Sequence, residues 1–184
     1  TRSLIPKVNP KRMIPNLDRV LSNELTEQNP RIFDDWETVP LVGRTINWGL
    51  TVRKNTLAYS QVAQDKIELT SIANAGPFTL DSQNRFGTII KGGSLEEILW
   101  SVAGTDQRPI SVSSVNILLS KDGGSTYPIL LAESVPNNGS ALVIIPNGID
   151  TTNARIKIKP VSNIFFAINS TPFTIQSRDL VLKL

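Results

Sequence analysis

From Pro77 onward the chain is cut into short apolar stretches, and this cutting most restricts what it can fold into. The stretches "FTLDS", "GTIIK", "EEILWSVA", "SVNILLS", "YPILLAES", "ALVIIP", "ARIKIKP", "NIFFAINS" and "PFTIQS" follow one another at even spacing, with turn residues between almost every pair. None shows a sustained 3.6-residue period. Many short strands punctuated by turns indicate an all-β sandwich. "ARIKIKP" alternates most cleanly: it predicts Ala154, Ile156 and Ile158 facing in, and Arg155, Lys157 and Lys159 facing out. The twelve prolines and eleven glycines argue against long helices throughout.

Upstream, "RTINWGLTVRK" puts Ile46, Trp48, Leu50 and Val52 on one face. "AQDKIELTSI" follows, with Ile67 and Leu69 expected inward. The two read as the last hairpin of a sandwich. Residues 1–40 are irregular, apart from a short helix predicted near residues 16–25, with Leu17, Val20, Leu21 and Leu25 on one face. "NAGP", Asn74 to Pro77, reads as a linker. The expected organisation is therefore 1–75 as one part and 76–184 as a second sandwich.

The 184 residues contain neither Cys nor His. No thiol nucleophile, histidine base or His/Cys metal site can be built from them. Ten Lys/Arg stand against eight Asp/Glu in residues 1–75, and nine against eight in 76–184. So small and even a basic excess gives no nucleic-acid footprint, and no apolar run is long enough to span a membrane.

"LLSKDGGSTYPILL" carries the clearest motif. Ser120, Asp122, Gly124, Thr126 and Tyr127 fit S-x-D-x-G-x-T-aromatic, the Asp box. Asp122 can accept hydrogen bonds from turn N–H groups, and the glycines can take positive φ. A structural turn is the leading reading, ahead of calcium binding and of catalysis. Glu96 and Glu97 are adjacent on a predicted strand, point to opposite faces, and do not make the carboxylate pair of a glycosidase. Asp34, Asp35 and Glu37 read as solvated charge; Asp34 and Asp35, in a loop, are a weak calcium candidate that lacks calcium-loop spacing. Trp48 and Trp100 are in phase with apolar neighbours and read as core. Trp36, in a polar stretch, is the candidate exposed aromatic for a sugar. The row Arg155, Lys157, Lys159 is the candidate contact for an anionic partner.

Four motifs occur in order: W-x-V-A-G-T from Trp100, V-N-I-L-L-S-x-D-G-G-x-T-Y-P from Val115, A-R-I-K from Ala154, and N-I-F-F from Asn163. Together they resemble the β-sandwich module that follows the catalytic domain in secreted reprolysin-type zinc metallopeptidases of Bacteroidetes-type bacteria. "TRSLIPKVNPKRMIPNLDRVL" and "WETVPLVGRTINWGLTVRKN" resemble the second half of the Ig-like domain before that module. The resemblance implies two tandem Ig-like or fibronectin-III-like sandwiches, the first incomplete, with its first strands preceding Thr1. It further implies a secreted or cell-surface bacterial location, an upstream catalytic domain as partner, and no cofactor in this region. Lys54 and Ala167 stand where family members often carry aspartates, and the H-E-x-x-H zinc motif is missing, so peptidase activity does not carry over. The expectation is a non-catalytic accessory or positioning region. The rival is a stand-alone adhesion or carbohydrate-binding protein that meets a protein or glycan through Trp36, the 104–109 loop and the basic row.

Overall fold

The computed structural model describes residues 11–29, 31, 37–56 and 59–178, and it is nearly all β. The elements are α1 (Leu17–Leu21), β1 (Arg44–Asn55), β2 (Ser60–Ser71), β3 (Thr79–Leu80), β4 (Ile89–Lys91), β5 (Leu95–Ser101), β6 (Ser114–Ser120), β7 (Ile129–Pro136), β8 (Ser140–Ile144), β9 (Thr151–Pro160), β10 (Ala167–Ile168) and β11 (Phe173–Gln176). Each of the nine stretches after Pro77 contains a strand, although "FTLDS" and "NIFFAINS" yield only two residues apiece.

Residues fall into two compact units: Pro40–Ala75, and the remainder up to Val39 together with Gly76 onward. In the larger unit, one sheet runs β4-β11-β9-β6-β7, with β10 also on β9; the other runs β3-β5-β8. Alternation drives the packing. β6 sends Val115, Ile117 and Leu119 inward, β9 sends Ala154, Ile156 and Ile158, and β11 sends Phe173 and Ile175. From the smaller sheet come Leu80, Ile98, Trp100 and Val143. These side chains form one buried cluster, the arrangement of a sandwich. Burying each large aliphatic fully contributes about 1.5–3 kcal/mol.

The Trp100 indole cannot enter this core without a partner for its N–H. Asn137 supplies one: its Oδ1 accepts from Trp100 Nε1 at 2.9 Å, while its Nδ2 donates to Thr105 Oγ1 and to the Val112 carbonyl, both at 3.1 Å.

The described residues of the opening segment group with this sandwich and not with the hairpin, which differs from the 1–75 division expected from sequence. α1 is short because its signals are local. Asn16 caps it, accepting from the Arg19 N–H at 3.1 Å, and the chain leaves the helix through Ser22 and Asn23, the latter at φ 60°. Leu25, expected on the helix face, lies beyond its end and accepts from the Val39 N–H at 2.9 Å.

In the smaller unit β1 and β2 pair along their whole length, with Ile46 opposite Leu69 and Trp48 opposite Ile67. The expected apolar face therefore forms. Its expected burial does not: Trp48 is half-buried, and Leu50, Val52 and Ile67 are more than half exposed. Among the described residues β1 and β2 hydrogen-bond as strands only to each other. A lone hairpin has no facing layer of its own to cover such residues.

Candidate functional site

The turn of Ser120 to Tyr127 joins β6 to β7. Ser120, at the end of β6, is fully buried. Its hydroxyl donates to Asp122 Oδ1 at 2.6 Å and accepts from the Gly124 N–H at 2.9 Å and from the Asp122 N–H at 3.3 Å. Asp122 Oδ1 also accepts from the Thr126 N–H at 2.9 Å, and Oδ2 accepts from the Thr126 hydroxyl at 2.6 Å. Both carboxylate oxygens are thus engaged by the turn itself. The Ser120 hydroxyl, then the Thr126 hydroxyl and N–H, hold Asp122 down at about 2, since each bond favours the ionised form. The Gly123 N–H donates to the Asn153 carbonyl at 2.8 Å, which ties the turn to the start of β9.

Gly124 shows why a glycine stands there. Its φ is +99°, and a Cβ would lie 2.5 Å from Leu21 Cδ2, 3.0 Å from the Tyr127 hydroxyl and 3.3 Å from Arg155 Cδ. The end of α1, the β6–β7 turn and β9 therefore meet at one point.

That meeting changes the basic row. Arg155 does not face out: it is 8 % exposed, and its Nη1 donates to the Asn169 carbonyl at 2.8 Å. Lys157 is half-buried, its ammonium 4.0 Å from the Phe166 ring centroid and 5.2 Å from that of Tyr127. Burial pushes Lys157 down to about 8, with smaller contributions from Lys159 and Lys11, while the two ring faces attract the charged form. Burial also lowers Arg155 and raises the Tyr127 phenol. Only Lys159 stays in the open. Alternation had assigned the three to a wet face, but the outer side of β9 is partly covered by Tyr127 and Phe166.

Asn169 fixes the neighbouring chain. Its Oδ1 accepts from the Ile156 N–H at 2.7 Å, and its Nδ2 donates to the Gln83 carbonyl at 3.1 Å and to the Thr171 carbonyl.

Trp36, with Asp34 and Asp35, lies outside the described residues. Trp100 is core. Glu96 and Glu97 sit opposite Val143 and Leu142 on the two faces of the β5–β8 pair. Within 104–109, Thr105 is buried in the Asn137 network, and Asp106, Gln107 and Arg108 are exposed. Among the described residues no helix is long and apolar enough to cross a membrane, and no three Asp or Glu side chains gather as a metal group.

Two surface features escaped the sequence reading. Phe86, in the β3–β4 loop, is 90 % exposed. On the outer face of the smaller sheet, Leu95, Leu99, Leu142 and Ile144 are all exposed, and Leu95 lies directly opposite Ile144. The signal for this second feature was present: "LEEILWS" and "SALVI" carry apolar residues at both parities, so one set has to point away from the core.

No family model matches the chain, and neither does any curated protein.

Proposed function

We propose that this chain is a non-catalytic accessory region of a secreted or cell-surface protein, built from tandem Ig-like or fibronectin-III-like sandwiches, that positions a neighbouring catalytic domain. One observation carries this reading. Several of the singled-out polar side chains are engaged by the fold: Asp122 by Ser120 and Thr126, Arg155 through Nη1 by the Asn169 carbonyl, Lys157 by two aromatic rings, while Arg155 Nε and the Tyr127 hydroxyl are buried without a partner among the described residues. What the smaller sheet offers outward is aliphatic instead, which suits a docking face more than a reaction centre. The order of motifs that resembles the accessory module of reprolysin-type metallopeptidases points to the same role.

The test is an activity screen of the purified chain against peptide and glycoside substrates, with and without chelator. No hydrolysis is expected, and chelator-sensitive proteolysis would overturn the reading. In the parent reading frame, an H-E-x-x-H segment upstream is expected.

A second reading, a stand-alone adhesion or carbohydrate-binding module, is favoured by the bare Phe86 ring. A glycan array at low and high salt separates the two, with Phe86→Ala, Trp36→Ala and Lys159→Ser alongside. Binding lost with either aromatic supports the carbohydrate module. Binding lost only with Lys159→Ser and in high salt supports an anionic partner. No binding leaves the positioning role.

A further inference from the structure

We propose that Asn138 is a site of spontaneous covalent modification, converting through a succinimide to isoaspartate and aspartate, while the fold shields the second Asn-Gly pair, Asn147–Gly148. Both pairs carry the dipeptide that best permits this chemistry, because the residue after the asparagine has no Cβ to hinder attack. Their surroundings differ sharply.

Asn138 sits exposed in the turn between β7 and β8. Its amide makes one long contact, with Oδ1 accepting from the Ser140 N–H at 3.4 Å. That donor lies two residues on, so the ring it closes contains the Gly139 nitrogen. A donor on Oδ1 also polarises the Cγ carbonyl toward attack. Among the described residues no acceptor takes the Gly139 N–H, and Gly139 holds φ +100°.

The step balances without any oxidant or cofactor. Solvent base removes the Gly139 amide proton, and the nitrogen adds to Asn138 Cγ. The Cγ–Nδ2 bond breaks, and ammonia leaves with a proton from water. Water then opens the five-membered imide at either carbonyl, giving aspartate or isoaspartate.

Asn147 is also exposed, but its amide is clamped at both atoms. Oδ1 accepts from the Arg178 N–H at 2.8 Å, and Nδ2 donates to the Arg178 carbonyl at 3.1 Å. Gly92 packs so close that a Cβ there would lie 2.5 Å from Asn147 Oδ1. Turning Cγ toward the Gly148 nitrogen requires both bonds to open. Asp122–Gly123 is protected differently: its carboxyl is ionised and bonded, and a carboxylate is a poor electrophile.

Conversion at Asn138 also has a structural consequence. Asn137 accepts from the Trp100 indole N–H, and the Gly139 carbonyl accepts from the Trp100 backbone N–H, each at 2.9 Å. Both neighbours of Asn138 are therefore locked to one core residue. Aspartate adds only a charge to an exposed turn. Isoaspartate adds a main-chain carbon between the two locks and has to strain one of them.

The experiment ages the full chain in mildly alkaline and mildly acidic buffer, beside two short peptides spanning 136–141 and 145–150. Peptide mapping with fragmentation assigns each product. Asn138 is expected to convert in the folded chain at a rate close to its peptide, faster in alkali. Asn147 is expected to convert at least about tenfold more slowly than its peptide, because two hydrogen bonds have to open. Conversion of Asn147 first, or an Asn138 that persists while its peptide converts, overturns the assignment. Thermal melting of the separated products tests the coupling to Trp100. Asn138→Asp should melt with the fresh protein and the isoaspartate fraction below it; an isoaspartate fraction that melts unchanged overturns that part.

Discussion

Replacing Asp122 by alanine is the sharpest perturbation of this fold, because its three side-chain partners differ in what water can restore. The Thr126 N–H and hydroxyl are exposed, so solvent takes over both bonds and their loss costs little. The Ser120 hydroxyl is different. It is fully buried, and two N–H groups already donate to its oxygen. Without Asp122 its proton loses its acceptor within the fold, and a buried donor that water does not reach costs about 1–3 kcal/mol. We therefore expect Asp122→Ala to lose about 2 kcal/mol, which lowers Tm by about 4–8 °C in a unit of this size. Asp122→Asn keeps one acceptor oxygen and should lose about half as much. The effect should depend on pH in a defined sense. Asp122 is held near 2 in the folded chain against an ordinary 3.8. Its contribution is therefore fully present above pH 3.8 and fades as pH falls toward 2, where the folded carboxyl also takes a proton. Calorimetry of both proteins from pH 7 to pH 2 should show two melting curves that converge in acid. An unchanged Tm at pH 7, or a gap that persists undiminished at pH 2, would refute the argument.

Two further substitutions probe the same sandwich. Gly124→Ala should cost about 1–3 kcal/mol, from positive φ and the clash with Leu21; adding Leu21→Ala should recover only the steric part, read by denaturant melting. Asn137→Ala strands the Trp100 indole N–H and should cost about 2–4 kcal/mol, read as a lower denaturant midpoint with unchanged slope.

Strand positions after Pro77 were legible because they follow from local rules. Val115, Ile117 and Leu119, and Ala154, Ile156 and Ile158, alternate in the sequence and alternate in the core, since side chains on a strand point to opposite faces in turn. The turn between Ser120 and Tyr127 was legible for a similar reason. The bonds among its own residues join positions at most four apart, and its glycines hold the positive φ that the turn requires. The short helix expected near residues 16–25 was equally local, although it ends at Leu21.

What alternation could not supply was the environment on the far side of each face. Arg155, Lys157 and Lys159 share a parity, yet one is buried, one lies beside two rings and one is open. The difference is made by residues remote in sequence, Leu21, Tyr127, Phe166 and Asn169, which only the folded chain brings to β9. The converse holds for Leu50, Val52 and Ile67, whose pattern promised burial. A period of two records which residues share a face; whether anything covers that face depends on a second layer, and no local rule places one.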